Sequence, residues 1–203
     1  MKKVLVKIRK FWDWLWNSES WLSYIVFLAI VFVFVKFIFL PVLGLLMGTS
    51  LPLAIVESSS MYHKVSAEDS GALRLCDEIY EKREKVDFDK YWNVCGSWYE
   101  ENNITKIEFS DFKFPNGFSK GDLMIIVGKD SIKLGDVIIF EAGSRHPIIH
   151  RVTSLSPLQT KGDHNPAQLA SEKNIDESQI IGTAVARVPY VGWIKLFFVE
   201  LFR

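Results

Sequence analysis

The longest apolar stretch of the chain runs from Trp21 to Met47, and only Ser23, Tyr24 and Lys36 interrupt it. About 20 such residues in an α-helix cross the hydrocarbon core of a bilayer, so the pattern predicts one transmembrane anchor over residues 21–47. A buried core helix is the competing interpretation, but soluble helices rarely have so many consecutive Ile, Val, Leu and Phe residues. A cleavable secretory signal is disfavoured because the apolar part starts late and is too long.

Residues 1–20 have apolar side chains at helical spacing, and most of their basic side chains fall on other faces. This pattern predicts an amphipathic helix on the inner leaflet, with a plain extension of the membrane helix as the alternative. The basic residues before the anchor are Lys2, Lys3, Lys7, Arg9 and Lys10. The positive-inside rule then places the N-terminus in the cytosol and the remaining ~150 residues outside.

Residues 48–203 are expected to form one exofacial domain that is mostly β. Short β-branched runs bounded by glycine-containing turns predict strands at residues 51–56, 123–127, 137–140, 148–154 and 180–188. Within this domain we expect residues 64–116 to be a mainly helical insertion. It would hold one helix capped by Ser66 or Asp69 and a second from about Asp87 to Tyr99. The apolar tail after residue 188 is too short to cross a bilayer, so it would pack on the domain or enter the interface.

The composition of the chain mainly argues against certain partners and bound groups. The chain has 24 basic and 24 acidic residues, so its charge balance does not indicate a nucleic-acid partner. Cys76 and Cys95 lack the spacing of a zinc site, and we expect neither a metal nor a cofactor. The two cysteines form a disulfide or remain buried thiols, and the sequence leaves both alternatives open.

A serine becomes a nucleophile only with a base beside it and donors for the developing oxyanion. The candidate bases are the four histidines, His63, His146, His150 and His164. His150 is the best placed, because it lies inside a predicted strand that fixes its direction, whereas the others lie beside turn residues.

The run from Val56 to Met61 includes Ser58-Ser59-Ser60-Met61 and resembles the S-x-S-M signature of the type I signal peptidase family. That resemblance implies that Ser60 is the nucleophile. It also implies that the Ser58 hydroxyl and the Ser60 N–H form the oxyanion hole. Further similar segments follow in the family's order, at residues 117–123, 134–140, 147–152 and 160–165.

The segment His150-Arg151-Val152 is similar to archaeal and endoplasmic-reticulum members, which have a histidine base where bacterial members have lysine. The following segment, residues 160–165, implies Asp163 as the acidic partner of His150. Many relatives have a further aspartate six residues later, where this chain has Leu169. Asp176 and a Ser-His dyad without an acid therefore remain alternatives.

The resemblance implies a membrane-bound serine endopeptidase that removes signal peptides from exported preproteins with small residues at the cleavage site. The expected partners are those preproteins and the lipid bilayer, and the expected location is the cell membrane, with a single span. A catalytically silent membrane-anchored binding module is the alternative function. One departure from the family is Tyr62-His63 after Met61, where many members continue S-M-x-P, and it leaves His63 as a rival base.

Overall fold

A computed structural model describes residues 2–67, 71–129, 131–143 and 146–201, apart from the side chains of residues 2 and 198–201. Its contacts divide the chain into two compact units, Met1–Leu46 and Met47–Arg203.

The first unit is helical. It contains α1 (Lys2–Asn17), α2 (Trp21–Phe34), a π-helical turn (Val35–Phe39) and most of α3 (Leu40–Met47). From Trp21 to Met47 the helix is continuous over 27 residues, and an 18-residue stretch of it has a mean hydropathy of 2.9, so it is long and apolar enough to cross a membrane. Ser20 caps its start by accepting a hydrogen bond from the Leu22 N–H. The π-helical turn includes Lys36, the one charged residue within this apolar helix.

The second unit is built on a six-stranded antiparallel sheet. Its strands are β1 (Leu53–Ile55), β5 (Leu123–Val127), β6 (Val137–Phe140), β7 (Ile148–Leu155), β8 (Leu158–Lys161) and β9 (Ile180–Val188). They lie side by side in the order β1-β5-β9-β6-β7-β8. Three short strands lie between β1 and β5 in the chain: β2 (Ser66–Ala67), β3 (Leu73–Leu75) and β4 (Glu78–Tyr80). The predicted fold class, mostly β with one apolar N-terminal helix, is confirmed.

The insertion contains both a sheet and helices. Its helices are α4 (Phe88–Glu101), which Asp87 caps, and α5 (Lys106–Asp111), which has a full capping box from Thr105 and Glu108. The prediction of a helix before α4 is wrong, because β2, β3 and β4 pair there as a three-stranded antiparallel sheet. The proposed cap Asp69 lies outside the described residues.

A disulfide holds the insertion together, and the tail packs on the second unit. Cys76 and Cys95 form the disulfide, which joins the end of β3 to α4 within the insertion and settles the alternative that the sequence left open. The tail forms α6 (Trp193–Leu201), and it packs on this unit through the buried Leu196 and a Gly192 N–H that donates to the Gly121 carbonyl.

Candidate active site

His150 is the third residue of β7, the strand that lies between β6 and β8. Its backbone pairs with Ile138 on one side, and the next residue, Arg151, pairs with Lys161 on the other. The imidazole is 3% exposed, so its position is fixed by packing as well as by the strand. Strand β7 therefore holds the predicted base rigidly, as expected from the sequence.

Ser60 lies in the turn that follows β1, and its neighbours are fixed by two of the family-like segments. The His164 N–H donates to the Ser60 carbonyl at 2.8 Å, and the Phe118 N–H donates to the Met61 carbonyl at 2.9 Å. A Cβ atom at Gly117 would approach the Met61 carbonyl to 2.2 Å, so only glycine allows this close contact. Residues 117–123 and 160–165 thus serve to position the serine.

The structure brings Ser60 and His150 together across ninety positions of sequence: Oγ of Ser60 is 2.8 Å from Nε2 of His150. This is the separation of a hydrogen bond between a nucleophile and its base. A Cβ atom at Gly162 would lie 2.7 Å from the same Nε2, so a larger residue there would crowd the base.

The other nitrogen of the imidazole faces Glu172, which the sequence analysis did not nominate. Nδ1 of His150 is 2.5 Å from Oε1 of Glu172, and that carboxylate is completely buried. It also accepts hydrogen bonds from the Thr160 hydroxyl at 3.1 Å and from the Leu169 N–H at 2.7 Å. Because a carboxylate oxygen accepts, Nδ1 carries the proton and Nε2 is free to accept the proton of Ser60.

Ser58 is exposed, and its Oγ lies 3.0 Å from Oγ of Ser60. Since the Ser60 hydroxyl points its proton at His150, the Ser58 hydroxyl is the donor of this pair. Within the described part of the chain the Ser60 N–H makes no hydrogen bond. Both groups expected in the oxyanion hole are therefore next to the nucleophile and able to donate.

The sequence predicts Asp163 as the acidic partner of His150, and the structure shows that this prediction is wrong: the Asp163 carboxylate is not hydrogen-bonded to His150. Its carboxylate is completely buried against Arg151, with Oδ2 2.7 Å from Nη2, and it accepts hydrogen bonds from Tyr99 and His63, each at 2.8 Å. The reason is the alternation of a strand, because His150 and Arg151 point to opposite faces of β7. Asp163 follows the Arg151 side, and Glu172 follows the His150 side.

The cluster around Asp163 is strongly charged, and its pKa values are displaced. Burial alone would raise the pKa of Asp163, but the charge of Arg151 and the hydrogen bond from His63 hold it well below its ordinary range. Burial lowers the pKa of His63, against the opposing attraction of Asp163. Burial also lowers the pKa of Lys161 to about 8, although Asp163 and Glu172 attract its charge. These groups form a structural cluster behind the nucleophile.

The rival bases and acids lie elsewhere. His63 is buried, stacks on Tyr91 with ring centroids 3.7 Å apart, and is engaged with Asp163. His164 contacts the Tyr62 carbonyl and Ser66, and His146 lies 3.8 Å from Glu57. Asp176 is exposed at the start of a short 3₁₀ turn, Glu177–Gln179. Of the four histidines, His150 is the one whose side chain is hydrogen-bonded to Ser60.

A cavity of about 500 Å³ opens beside the serine and the histidine. One wall is β1, the terminal strand of the sheet, and the opposite wall is the beginning of β7, at Ile148 and Ile149. Both walls are mainly apolar at this point. A gap between two strand segments suits an extended peptide, which would add its backbone hydrogen bonds to a sheet edge.

The aspartates after glycine behave as turn formers. The carboxylate of Asp122 accepts from the Ser119 N–H, and that of Asp136 accepts from the Lys133 N–H, each at 2.9 Å. Among the described residues neither carboxylate is hydrogen-bonded to Ser60 or His150. Among the described residues, no group of three or more His, Cys, Asp or Glu side chains is arranged to hold a metal ion.

Comparison with known proteins finds relatives named "Signal peptidase complex catalytic subunit SEC11". The chain is 31% identical to the protein of that name from Colletotrichum graminicola over 98 residues, which are 41% of this chain and 57% of the relative. Identity is 28% over 129 residues with the Komagataella phaffii protein, covering 54% and 75% of the two chains. With the Clavispora lusitaniae protein it is 32% over 97 residues, covering 41% and 58%.

The match spans 57% of the length of the Colletotrichum graminicola relative, so much of that protein has no counterpart in the alignment. No family model matches the chain.

Proposed function

We propose that this chain, a relative of the type I signal peptidases of the endoplasmic-reticulum and archaeal kind, is a membrane-anchored serine endopeptidase that removes signal peptides from exported preproteins. The observation that carries the proposal is the 2.8 Å contact between Ser60 and His150. Glu172 behind the imidazole and Ser58 beside the hydroxyl support it, because they supply the two further roles that acyl transfer needs.

In the proposed reaction Ser60 attacks the scissile carbonyl while Nε2 of His150 takes its proton. Glu172 keeps the proton on Nδ1 and stabilises the imidazolium that forms, which makes it a positioning residue. The oxyanion is held by the Ser58 hydroxyl and the Ser60 N–H. His150 then gives its proton to the leaving amine, and it activates a water that hydrolyses the acyl-enzyme in the same way.

The substrate is an extended peptide that lies in the cavity beside β1. Its small residues at the cleavage site, typically Ala-x-Ala by resemblance to the family, would fit against the apolar walls at Leu53, Ile55 and Ile148. The peptide backbone would pair with the outer edge of β1. This is the substrate class that the proposal assigns.

For the location we propose one membrane span, with residues 1–20 as the cytosolic helix, 21–47 as the anchor and 48–203 as the exofacial protease. The basic N-terminal residues support this orientation. The Cys76–Cys95 disulfide supports an oxidising compartment for the second unit. The relatives are named as subunits of a complex, so we also propose accessory subunits as partners, besides preproteins and lipid.

The test is cleavage of a preprotein by the full chain in detergent or in vesicles, with the cut located by mass spectrometry. Wild type should release the signal peptide after the small residues, and Ser60→Ala should bind the same preprotein without cutting it. Binding without cleavage by the wild type would instead support the silent binding module.

A further inference from the structure

A second cavity, of about 1120 Å³, lies on the far side of the nucleophile turn. Glu57 and Ser58 line both cavities, so the two meet at the turn that carries Ser60. The remaining lining of the second cavity comes partly from the insertion, at residues 64–67 and 83–84, and partly from the segment around Lys120 and from Trp193. The insertion thus lines part of a cavity that borders Ser58, a candidate oxyanion donor.

An extended peptide that is cut at Ser60 would reach both cavities in a fixed order. If its small residues before the cut lie between β1 and β7, its scissile carbonyl is at Ser60 and Ser58. The chain after the cut must then leave past Ser58, and an extended peptide advances about 3.3 Å per residue. The second cavity is the space that the first few residues after the cut would enter.

The charge of this second cavity is uneven. Its acidic residues have cationic partners: Glu57 lies 3.1 Å from Lys195, and Glu84 is bound by Lys90. The exposed insertion residues Lys64 and Arg83 have no carboxylate within ion-pair distance among the described residues. Lys64 instead lies over the ring of Tyr62, 5.9 Å from its centroid.

We infer that the second cavity binds the first residues of the mature protein, and that Lys64 and Arg83 make it favour acidic side chains there. The inference rests on the proposed function, because it needs a peptide that is cut at Ser60. It assigns the insertion a role in substrate choice. Interactions of this exposed kind contribute modestly to binding and more to selectivity, and they weaken with salt.

The test uses the full chain in a nonionic detergent and three synthetic peptides that share an Ala-x-Ala cleavage site. The second and third residues after the cut are Asp-Asp, Asn-Asn or Lys-Lys. Wild type should have a kcat/KM about fivefold higher for the acidic than for the basic peptide, which is the scale of one or two exposed ion pairs. The double variant Lys64→Glu/Arg83→Glu should invert that ratio, and 0.5 M salt should bring the wild-type ratio towards one.

A matched control is Lys82→Glu/Lys85→Glu, which makes the same change of charge in exposed side chains that do not line the cavity. The control should keep the wild-type ratio. Inversion by the control as well, or an unchanged ratio in Lys64→Glu/Arg83→Glu, would overturn the inference. So would a variant that loses only its binding to anionic vesicles, because lipid headgroups would then be the occupant. Failure of the proposed function has a different signature: the wild type cuts none of the peptides, or Ser60→Ala cuts them equally well.

Discussion

Glu172 and His150 form a buried pair, with Oε1 of the carboxylate 2.5 Å from Nδ1 of the imidazole, while the opposite nitrogen faces Ser60 at 2.8 Å. The three side chains are therefore arranged in the order acid, base and nucleophile. This order gives the tautomer of His150 that the proposed catalysis by Ser60 needs.

Replacing Glu172 by glutamine should lower kcat by about 10² to 10⁴, because the amide no longer enforces the productive tautomer of His150. Steady-state cleavage of a signal-peptide substrate measures the effect, and a thermal unfolding scan shows whether the variant is folded. The matched control is Asp176→Asn, an exposed acid that the sequence also nominated, and its rate should remain within about twofold of wild type. Wild-type rates for a folded Glu172→Gln would show that the carboxylate has no role in catalysis.

Replacing Asp163 by asparagine should reduce stability, because it leaves the buried guanidinium of Arg151 without its countercharge. Breaking a buried ion pair in this way costs about 3 to 5 kcal/mol. Chemical denaturation in a nonionic detergent measures it, with the exposed Asp111→Asn as the control. A variant of wild-type stability that has lost its activity would instead return Asp163 to the catalytic role that the sequence suggested.

Glu172 and Asp163 illustrate which parts of the candidate site can be predicted from the sequence and which cannot. The strand around His150 and the segments similar to the family are recognisable in the sequence, and the structure brings together Ser60, His150 and Ser58, the residues predicted as nucleophile, base and oxyanion donor. The acidic residue beside His150 could not be predicted from the sequence. Glu172 lies in a short 3₁₀ turn, Ala170–Glu172, and its approach to β7 depends on tertiary folding. Asp163 followed the base-containing strand closely in sequence, but the alternation of β7 turned it to the Arg151 side.

The secondary structure likewise contains elements that the sequence predicts well and elements that it does not. The apolar helix and the longer strands have strong periodic signals, and the structure forms them close to the predicted bounds. The small sheet β2–β4 was mistaken for a helix because strands of two or three residues are too short to show alternation. Its Leu73 and Cys76 also have the spacing of a helical face, but the disulfide to Cys95 and the pairing of β3 with its neighbours decide the local structure.

Replacing Ser58 by alanine should lower kcat by about 10²-fold and change KM little, because the lost donor acts on the oxyanion and not on the bound peptide. Separate measurement of kcat and KM tests this. Ser59→Ala is the matched control, since that neighbouring side chain makes no hydrogen bond within the described residues. An equal effect of both variants, or a change confined to KM, would contradict the role assigned to Ser58.

The lowered pKa of Lys161 should make the stability of the folded chain depend on pH. Its pKa is lowered from 10.5 to about 8 in the folded chain, chiefly by burial. Between about pH 8 and pH 10.5, Lys161 is protonated in the unfolded chain but deprotonated in the folded chain. The free energy of unfolding therefore rises with pH in this range, by up to about 1 kcal/mol per pH unit. Below about pH 8 both states are charged and the contribution of Lys161 is constant.

Lys161→Met should therefore have a flatter stability profile than wild type from pH 8 to 10, as measured by denaturation at fixed ionic strength. The exposed Lys85→Met should leave the wild-type slope in place. Parallel profiles for wild type and Lys161→Met would show that the lysine is not held in a pKa-lowering environment.

In the proposed reaction Ser60 and His150 act as one unit. Single-turnover cleavage of a preprotein by wild type, Ser60→Ala, His150→Ala and the double variant measures whether they do. Each single variant should lose at least about 10³-fold in rate, and the double variant should be no slower than either, because residues of one catalytic unit are not additive. Retained cleavage by folded His150→Ala or Ser60→Ala, or losses that multiply in the double variant, would show that the two residues do not form one catalytic unit.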